Sequence, residues 1–397
     1  MPIVLFHAAP ECDGHLDHSI ICTRLKNSLS ETLTRFYPLG GMIKGDVSID
    51  LSYEAVTFTE AQASIQLSHI LRNPKMDILQ QFLPFDPYVL AIQVTILGCG
   101  GLGIGVYISH KITDGATLAS FLCAWATTAR RAFESIVDPL FYMATLFPPS
   151  DHLHVIMPTG LFSKQKIVTK RFVFDATSLA TLKDKAAKTS CINNRTHIES
   201  VTALLCKSAM NSTSGKSGKA KLQRIISHVV NLREKMVPKL PGYAFGNLWR
   251  NAIASIAEGN NKIELPDIVV QLRTAIRKIN EEYVRKLQVC TSNAPIKNVV
   301  ILMGTRSGDG TEAWVSMDEQ HKTKFEREEQ LLQYAFSPQP YCMTQTLVQL
   351  AYVYSNSSPR NTVCKLLSVK GIIKKRRCFQ ILHVNNLLSV FRNIKTT

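Results

Sequence analysis

The sequence predicts a mixed α/β protein of more than one domain, and three observations carry that expectation. Apolar, strand-like runs alternate with segments whose apolar residues recur at three- and four-residue steps. The same mixed pattern starts again after a proline-bearing stretch near residue 150. At 397 residues, 45% of them hydrophobic, the chain is long enough for two or three separate cores.

Taken in order, Leu25, Leu29, Leu33 and Phe36 mark an amphipathic helix that Pro38 and Gly40-Gly41 terminate. A strand and loop follow. Tyr88 to Ser109 is an uncharged run long enough to span a bilayer. Its five glycines and its β-branched residues instead predict two strands joined by a turn at Gly98 to Gly101. That turn carries Gly98-x-Gly100-x-x-Gly103, the spacing of a dinucleotide fingerprint. The fingerprint requires a helix immediately afterwards, whereas here a strand follows, so the match is discounted.

Ser109-His110-Lys111-Ile112-Thr113-Asp114-Gly115 stands where that strand gives way to a helix. Leu118, Phe121, Leu122, Trp125 and Ala129 place the helix over about Ala116 to Arg131. Imidazole titrates near neutrality, so His110 at a strand exit is a candidate general base, with Asp114 four positions on and Gly115 letting the chain turn.

Leu140 to Pro158, including Phe147-Pro148-Pro149, reads as a crossover. Beyond it come a strand from Ile167 to Phe174, helices around Ser178 to Lys188 and His197 to Ser208, and a strand at Ile225 to Asn231. Pro266-Asp267 opens a helix through Ile268, Leu272, Ala275 and Ile279. Val299 to Met303 and Ala313 to Val315 flank Ser307-Gly308-Asp309-Gly310, a hairpin signal, and one last helix is expected through Phe325 and Leu332. Trp125 and Trp314 are expected in the core.

Composition narrows the function. Met1 to Pro10 lacks the charged start, apolar core and cleavage site of a secretory signal, so the cytosol is the expected compartment. The ten cysteines form no Cys-x-x-Cys pair, and His152 and His154 lack further ligands, so no metal site is assigned. The net charge of +16 is uneven: residues 341–397 hold nine Lys or Arg and no acid. The body of the chain is only moderately basic, and neither a zinc nor a helix-turn-helix signature accompanies the charge. No nucleic-acid partner is therefore expected, although Lys374-Lys375-Arg376-Arg377 keeps a basic nucleic-acid-binding protein as a remote alternative.

Six ordered segments together resemble the plant BAHD acyltransferases. They are the Leu25 to Gly41 helix ending in Phe36-Tyr37-Pro38-Leu39, the His110 to Gly115 motif, Phe147-Pro148-Pro149, Asn231-Leu232-Arg233, Gly246-Asn247, and Asp309-Gly310-Thr311-Glu312-Ala313-Trp314-Val315. The wording is closest to the vinorine synthase-like branch, which acetylates alkaloid or terpenoid alcohols. The resemblance implies two chloramphenicol-acetyltransferase-like domains with mixed sheets and flanking helices, and an active site where they meet. It divides the chain into an N-terminal domain over 1–140, a crossover over 141–166, an incomplete C-terminal domain over 167–340 and a basic tail over 341–397 outside the fold.

The resemblance also implies an acyl-CoA-dependent O-acyltransferase with acyl-CoA, acetyl-CoA foremost, as co-substrate and no permanently bound cofactor. His110 would deprotonate a small-molecule alcohol acceptor, which attacks the thioester without an acyl-enzyme. Asp114 would shape the loop by pairing with an arginine, for which Arg233 is the candidate. Gly246 and Asn247 are candidate tunnel residues, and cofactor-binding residues are not assigned. A monomer with no membrane attachment is expected.

Three departures keep a catalytically impaired, truncated or mis-spliced family member open as an alternative. Several tens of residues that usually precede the segment matching Met1 to Phe6 are missing. The Asp-Phe-Gly-Trp-Gly signature occurs nowhere, and only Val289 to Asn298 stand where it and two strands are expected. The resemblance ends near Pro338.

Overall fold

The computed structural model describes residues 1–9, 18–44, 48–51, 56–72, 74–84, 89–147, 167–186, 196–213, 223–257, 263–285, 299–305, 308–336, 345–349 and 373–379. It divides the chain into two compact units. The first comprises Met1–Leu153, Pro241–Asn247 and Pro340–Thr397, and the second His154–Leu240 and Leu248–Gln339. The division after Leu153 falls inside the crossover expected over 141–166. A seven-residue piece from the middle of the chain, Pro241–Asn247, packs with the first unit.

The first unit is built on a six-stranded mixed sheet. Its spatial order is Gln345–Gln349, Pro2–His7, Leu102–Ile108, Leu90–Leu97, Thr57–Ala63, Ile373–Phe379. Only the Thr57–Ala63 and Leu90–Leu97 pair is parallel; the others are antiparallel. The run weighed as a membrane span is thus a hairpin, with Ile92 opposite Val106 and Val94 opposite Ile104. Among the described residues no helix is long and apolar enough to cross a membrane. The tail expected outside the fold also needs a correction, since two of its segments pair as the outer strands of this sheet.

Alternation along the strands separates two faces. Ile92, Val94, Ile104, Val106 and Ile3 enter one core with Leu25, Leu29, Leu33 and Phe36 of the His18–Arg35 helix and Leu118, Phe121 and Trp125 of the Gly115–Ala129 helix. Both helices carry the apolar stripe at the spacing expected. They are also tied by polar bonds: the Trp125 indole donates to the Leu25 carbonyl at 3.2 Å, the Arg24 guanidinium donates to the Ala129 carbonyl at 2.7 Å, and the Thr32 and Thr128 hydroxyls meet at 2.9 Å. On the opposite face, Phe82 lies edge-on to Phe6, ring centroids 5.1 Å apart. A Cβ on Gly105 would stand 1.9 Å from the Phe82 carbonyl oxygen. That close approach, rather than phosphate binding, is what the glycine-rich hairpin serves.

The second unit contains an antiparallel sheet ordered Val299–Gly304, Thr311–Asp318, Ile167–Phe174, and an antiparallel ribbon of Gln223–Asn231 with Trp249–Ala257. The His197–Thr213 and Leu265–Lys278 helices bury Val201, Leu204, Leu205, Ile268, Val269 and Leu272. The hairpin predicted at Gly308 to Gly310 is present. Gly308 has φ 81°, and the Thr305 hydroxyl accepts from the Gly310 amide at 2.9 Å.

The single last helix is corrected to two, Glu319–Glu326 and Glu329–Leu332, because Glu328 adopts an extended conformation, φ −66° and ψ 112°. Trp125 and Trp314 are both buried. Pro148-Pro149, His152, His154 and Val289 to Asn298 lie outside the described residues. Cys22 is buried, Cys99 and Cys206 are half-buried and Cys123 is exposed, all as free thiols.

Candidate active site

Strand, turn and helix place His110. The Leu102–Ile108 strand ends, and the turn closes on itself: the Thr113 amide donates to the Ser109 carbonyl at 3.3 Å, and the Thr113 hydroxyl donates to the same oxygen at 2.7 Å. His110 is half-buried in this turn. Its Nδ1 lies 2.8 Å from the Thr113 carbonyl oxygen. A carbonyl oxygen can only accept, so the bond requires the proton on Nδ1 and leaves the Nε2 lone pair unprotonated in the neutral ring. Burial lowers the pKa of His110 from its ordinary value, against upward pulls from the Thr113 hydrogen bond and the Asp114 charge. The neutral, proton-accepting form is thereby favoured at neutral pH.

Asp114 is buried, and its carboxylate accepts from the Thr117 amide at 2.9 Å as the N-cap of the Gly115–Ala129 helix. This bond starts the helix that follows the His110 turn. Gly115 is the first helical residue. Its φ is not among the positive values of the chain, and a Cβ there would meet nothing within 4 Å. The expectation that the turn depends on this glycine is corrected accordingly: the backbone here suits any residue.

The Pro241–Asn247 piece brings a third element to the turn. Leu140 donates to the Tyr243 carbonyl at 3.1 Å, Phe245 donates to the Leu140 carbonyl at 2.9 Å, and the Phe245 ring packs 5.2 Å from Phe141. Gly246 has φ 148°, a backbone conformation that favours glycine, and both its amide and its carbonyl bond the Thr117 hydroxyl. The Asn247 side-chain amide then donates to the His110 carbonyl at 2.6 Å. Thr113 and Thr117 were not singled out in the sequence. The signal for Thr117 is a hydroxyl in the first turn of an otherwise apolar helix face.

Arg233 lies in the second unit, on a short 3₁₀ turn after the Gln223–Asn231 strand, and is 1% exposed. Its Nη1 donates to the Asn231 side-chain oxygen at 3.2 Å. It is not a surface cation. Cys22 is no rival nucleophile, since burial pushes its thiol up to about 12. Among the described residues no three His, Cys, Asp or Glu side chains group so as to hold a metal.

A two-unit α/β fold with a histidine at a strand exit is what the resemblance to the acyltransferases implies, and comparison with known proteins identifies the class. The model of the Transferase family matches residues 11–317. Stemmadenine O-acetyltransferase of Catharanthus roseus is 34% identical over 80% of this chain and 86% of its own length. Vinorine synthase of Rauvolfia serpentina is 33% identical over the same shares. The crystal structure of vinorine synthase superposes with a TM-score of 0.71 at 31% identity, covering 86% of this chain and 91% of that one. TRI101 of F. sporotrichioides, at 13% identity and a TM-score of 0.61 over 84% and 94% of the two chains, shares the fold. The chain belongs to the BAHD acyltransferases, in the branch that contains vinorine synthase.

Proposed function

We propose that this chain transfers an acetyl group from acetyl-CoA to a hydroxyl of an alkaloid or terpenoid-type alcohol, with His110 as general base. One observation carries the base assignment: the Nδ1 to Thr113 carbonyl bond, which sets the tautomer with its lone pair at Nε2. The names of the relatives, O-acetyltransferases of stemmadenine and of limonoids, support the acetyl donor and the alcohol class.

In this reading Nε2 takes the proton of the acceptor hydroxyl as its oxygen bonds to the thioester carbonyl carbon. The tetrahedral intermediate collapses by breaking the carbon–sulfur bond, and the imidazolium returns the proton to the leaving thiolate. The acceptor oxygen attacks the thioester directly and the proton it loses leaves on the thiol, so no acyl-enzyme is needed. Asp114 and Gly115 start the supporting helix, and Arg233 serves as a buried structural cation. The test is release of free CoA thiol from acetyl-CoA and a panel of alkaloid and triterpenoid alcohols. His110→Ala should lower turnover by about 10² to 10⁴-fold, and an undiminished rate in that variant refutes the base assignment.

A second reading, a catalytically impaired member, is favoured by the missing Asp-Phe-Gly-Trp-Gly signature. The outer face of the Gln223–Asn231 and Trp249–Ala257 ribbon exposes Ile225 at 66%, Val229 at 59% and Ile253 at 52%, an apolar face that favours self-association. Monodisperse protein with measurable turnover would exclude this reading.

A further inference from the structure

We infer that Asn247 is a positioning residue for His110, aiming the imidazole through the His110 backbone carbonyl rather than lining a substrate tunnel. The inference rests on His110 being the base. The sequence offered Asn247 only as a tunnel candidate, whereas its side-chain amide reaches the His110 carbonyl.

Four bonds make the argument. The Ser109 to Thr113 turn closes on itself through Thr113, whose amide and hydroxyl both reach the Ser109 carbonyl. The ring of His110 is tied into the same turn by Nδ1 and the Thr113 carbonyl. These bonds fix the shape of the turn but not its orientation on the rest of the unit. The Asn247 amide supplies an outside point of attachment, 137 residues away in sequence, by donating to the His110 carbonyl at 2.6 Å. That oxygen belongs to the residue whose side chain must be aimed, so the bond sets the peptide plane from which the Cα–Cβ direction follows.

Asn247 is in turn held. The preceding Gly246 is clamped by amide and carbonyl on the Thr117 hydroxyl at 3.0 and 2.9 Å, in a φ of 148° that a side chain would strain. Thr117 sits on the helix that Asp114 caps. The chain of bonds therefore runs from Asp114 through Thr117 and Gly246 to Asn247 and back to His110, closing on the motif itself. A displacement of about 1 Å at a reacting group can cost about 10²-fold in rate, so a support of this kind acts on turnover more than on substrate affinity.

The experiment compares Asn247→Asp, Asn247→Ala and His110→Ala with the full-length parent chain, using acetyl-CoA and whichever alcohol the parent acetylates. Asp keeps the volume of Asn247 but, ionised, places an acceptor against the His110 carbonyl; Ala removes the donor without adding charge. Both are expected to lower kcat by about 30- to 100-fold with both KM values within about threefold of the parent. The His110 ring nitrogens, followed by 15N NMR, should change from one protonated at Nδ1 to a mixture of tautomers. A parent-like kcat in Asn247→Asp, a defect confined to the acceptor KM, or loss of the native unfolding transition in both variants would overturn the inference in favour of packing, tunnel lining or a purely structural role. His110→Ala separates the two claims. If it retains turnover, the base assignment fails; if it is inactive while the Asn247 variants are parent-like, only the positioning role fails.

Discussion

Thr117 holds Gly246 twice, its hydroxyl donating to the Gly246 carbonyl at 2.9 Å and accepting from the Gly246 amide at 3.0 Å. Thr117→Val keeps the shape and removes both bonds. We expect a loss of about 1–3 kcal/mol in stability, read as a lower urea midpoint at unchanged slope. Gly246→Ala should cost a similar about 1–3 kcal/mol through its φ of 148°. If either variant unfolds at the midpoint of the parent, the clamp contributes nothing.

The acid limb of the pH–rate profile reports His110. Burial lowers its pKa, so the neutral base persists to lower pH than an imidazole in water allows. The limb of kcat/KM should fall below the ordinary histidine value of about 6.5. A limb at 7 or above in the free enzyme would show that the base is either solvated or a different group.

What the sequence made legible was local. The hairpin ending at His110, the helix beginning after Asp114 and the turn at Gly308 to Gly310 each follow from residues within about ten positions of one another, where period and turn chemistry operate. The Asn247 amide bond to His110 was illegible because nothing in either segment encodes a partner 137 residues distant. Arg233 illustrates the same limit, since an arginine is ordinarily exposed and no neighbour in sequence announces that this one is 1% exposed. The break between the last two helices is illegible for a subtler reason. Phe325 and Leu332 keep helical spacing across a break at Arg327 and Glu328, where no proline or glycine marks the stop.

The second unit rests on a buried ion pair. Arg273 forks onto Glu199, Nε to Oε1 at 2.8 Å and Nη2 to Oε2 at 2.5 Å, while Glu199 also accepts from the Thr196 amide at 2.8 Å. Burial by itself raises the Glu199 pKa, but Arg273 and Thr196 together hold it below the usual carboxylate range. A carboxyl with a depressed folded pKa contributes stability that is present above its unfolded pKa, about 4.3, and lost as pH falls through the folded pKa. Arg273→Met strands the carboxylate and should cost about 3–5 kcal/mol at pH 7. The deficit should shrink as the parent is titrated below pH 4. A difference independent of pH would mean that Arg273 acts by packing alone.

Two glycines make opposite predictions. At Gly105 an added Cβ would stand 1.9 Å from the Phe82 oxygen and 2.8 Å from the Phe82 carbonyl carbon. Both are backbone atoms, so no side chain can swing aside, and the loop over the Leu102–Ile108 strand must move. Gly105→Ala should therefore cost about 3 kcal/mol or more, seen as loss of soluble protein or a sharply lower midpoint. Gly115 has open space around it and no positive φ. There alanine is the better helix former by up to about 1 kcal/mol and narrows the unfolded ensemble. Gly115→Ala should match or exceed the parent in stability, even though the residue closes the motif that His110 begins. A loss of more than about 1 kcal/mol at Gly115 would return that residue to the role of an obligatory turn. A parent-like Gly105→Ala would mean that Phe82 does not lie on the strand as described.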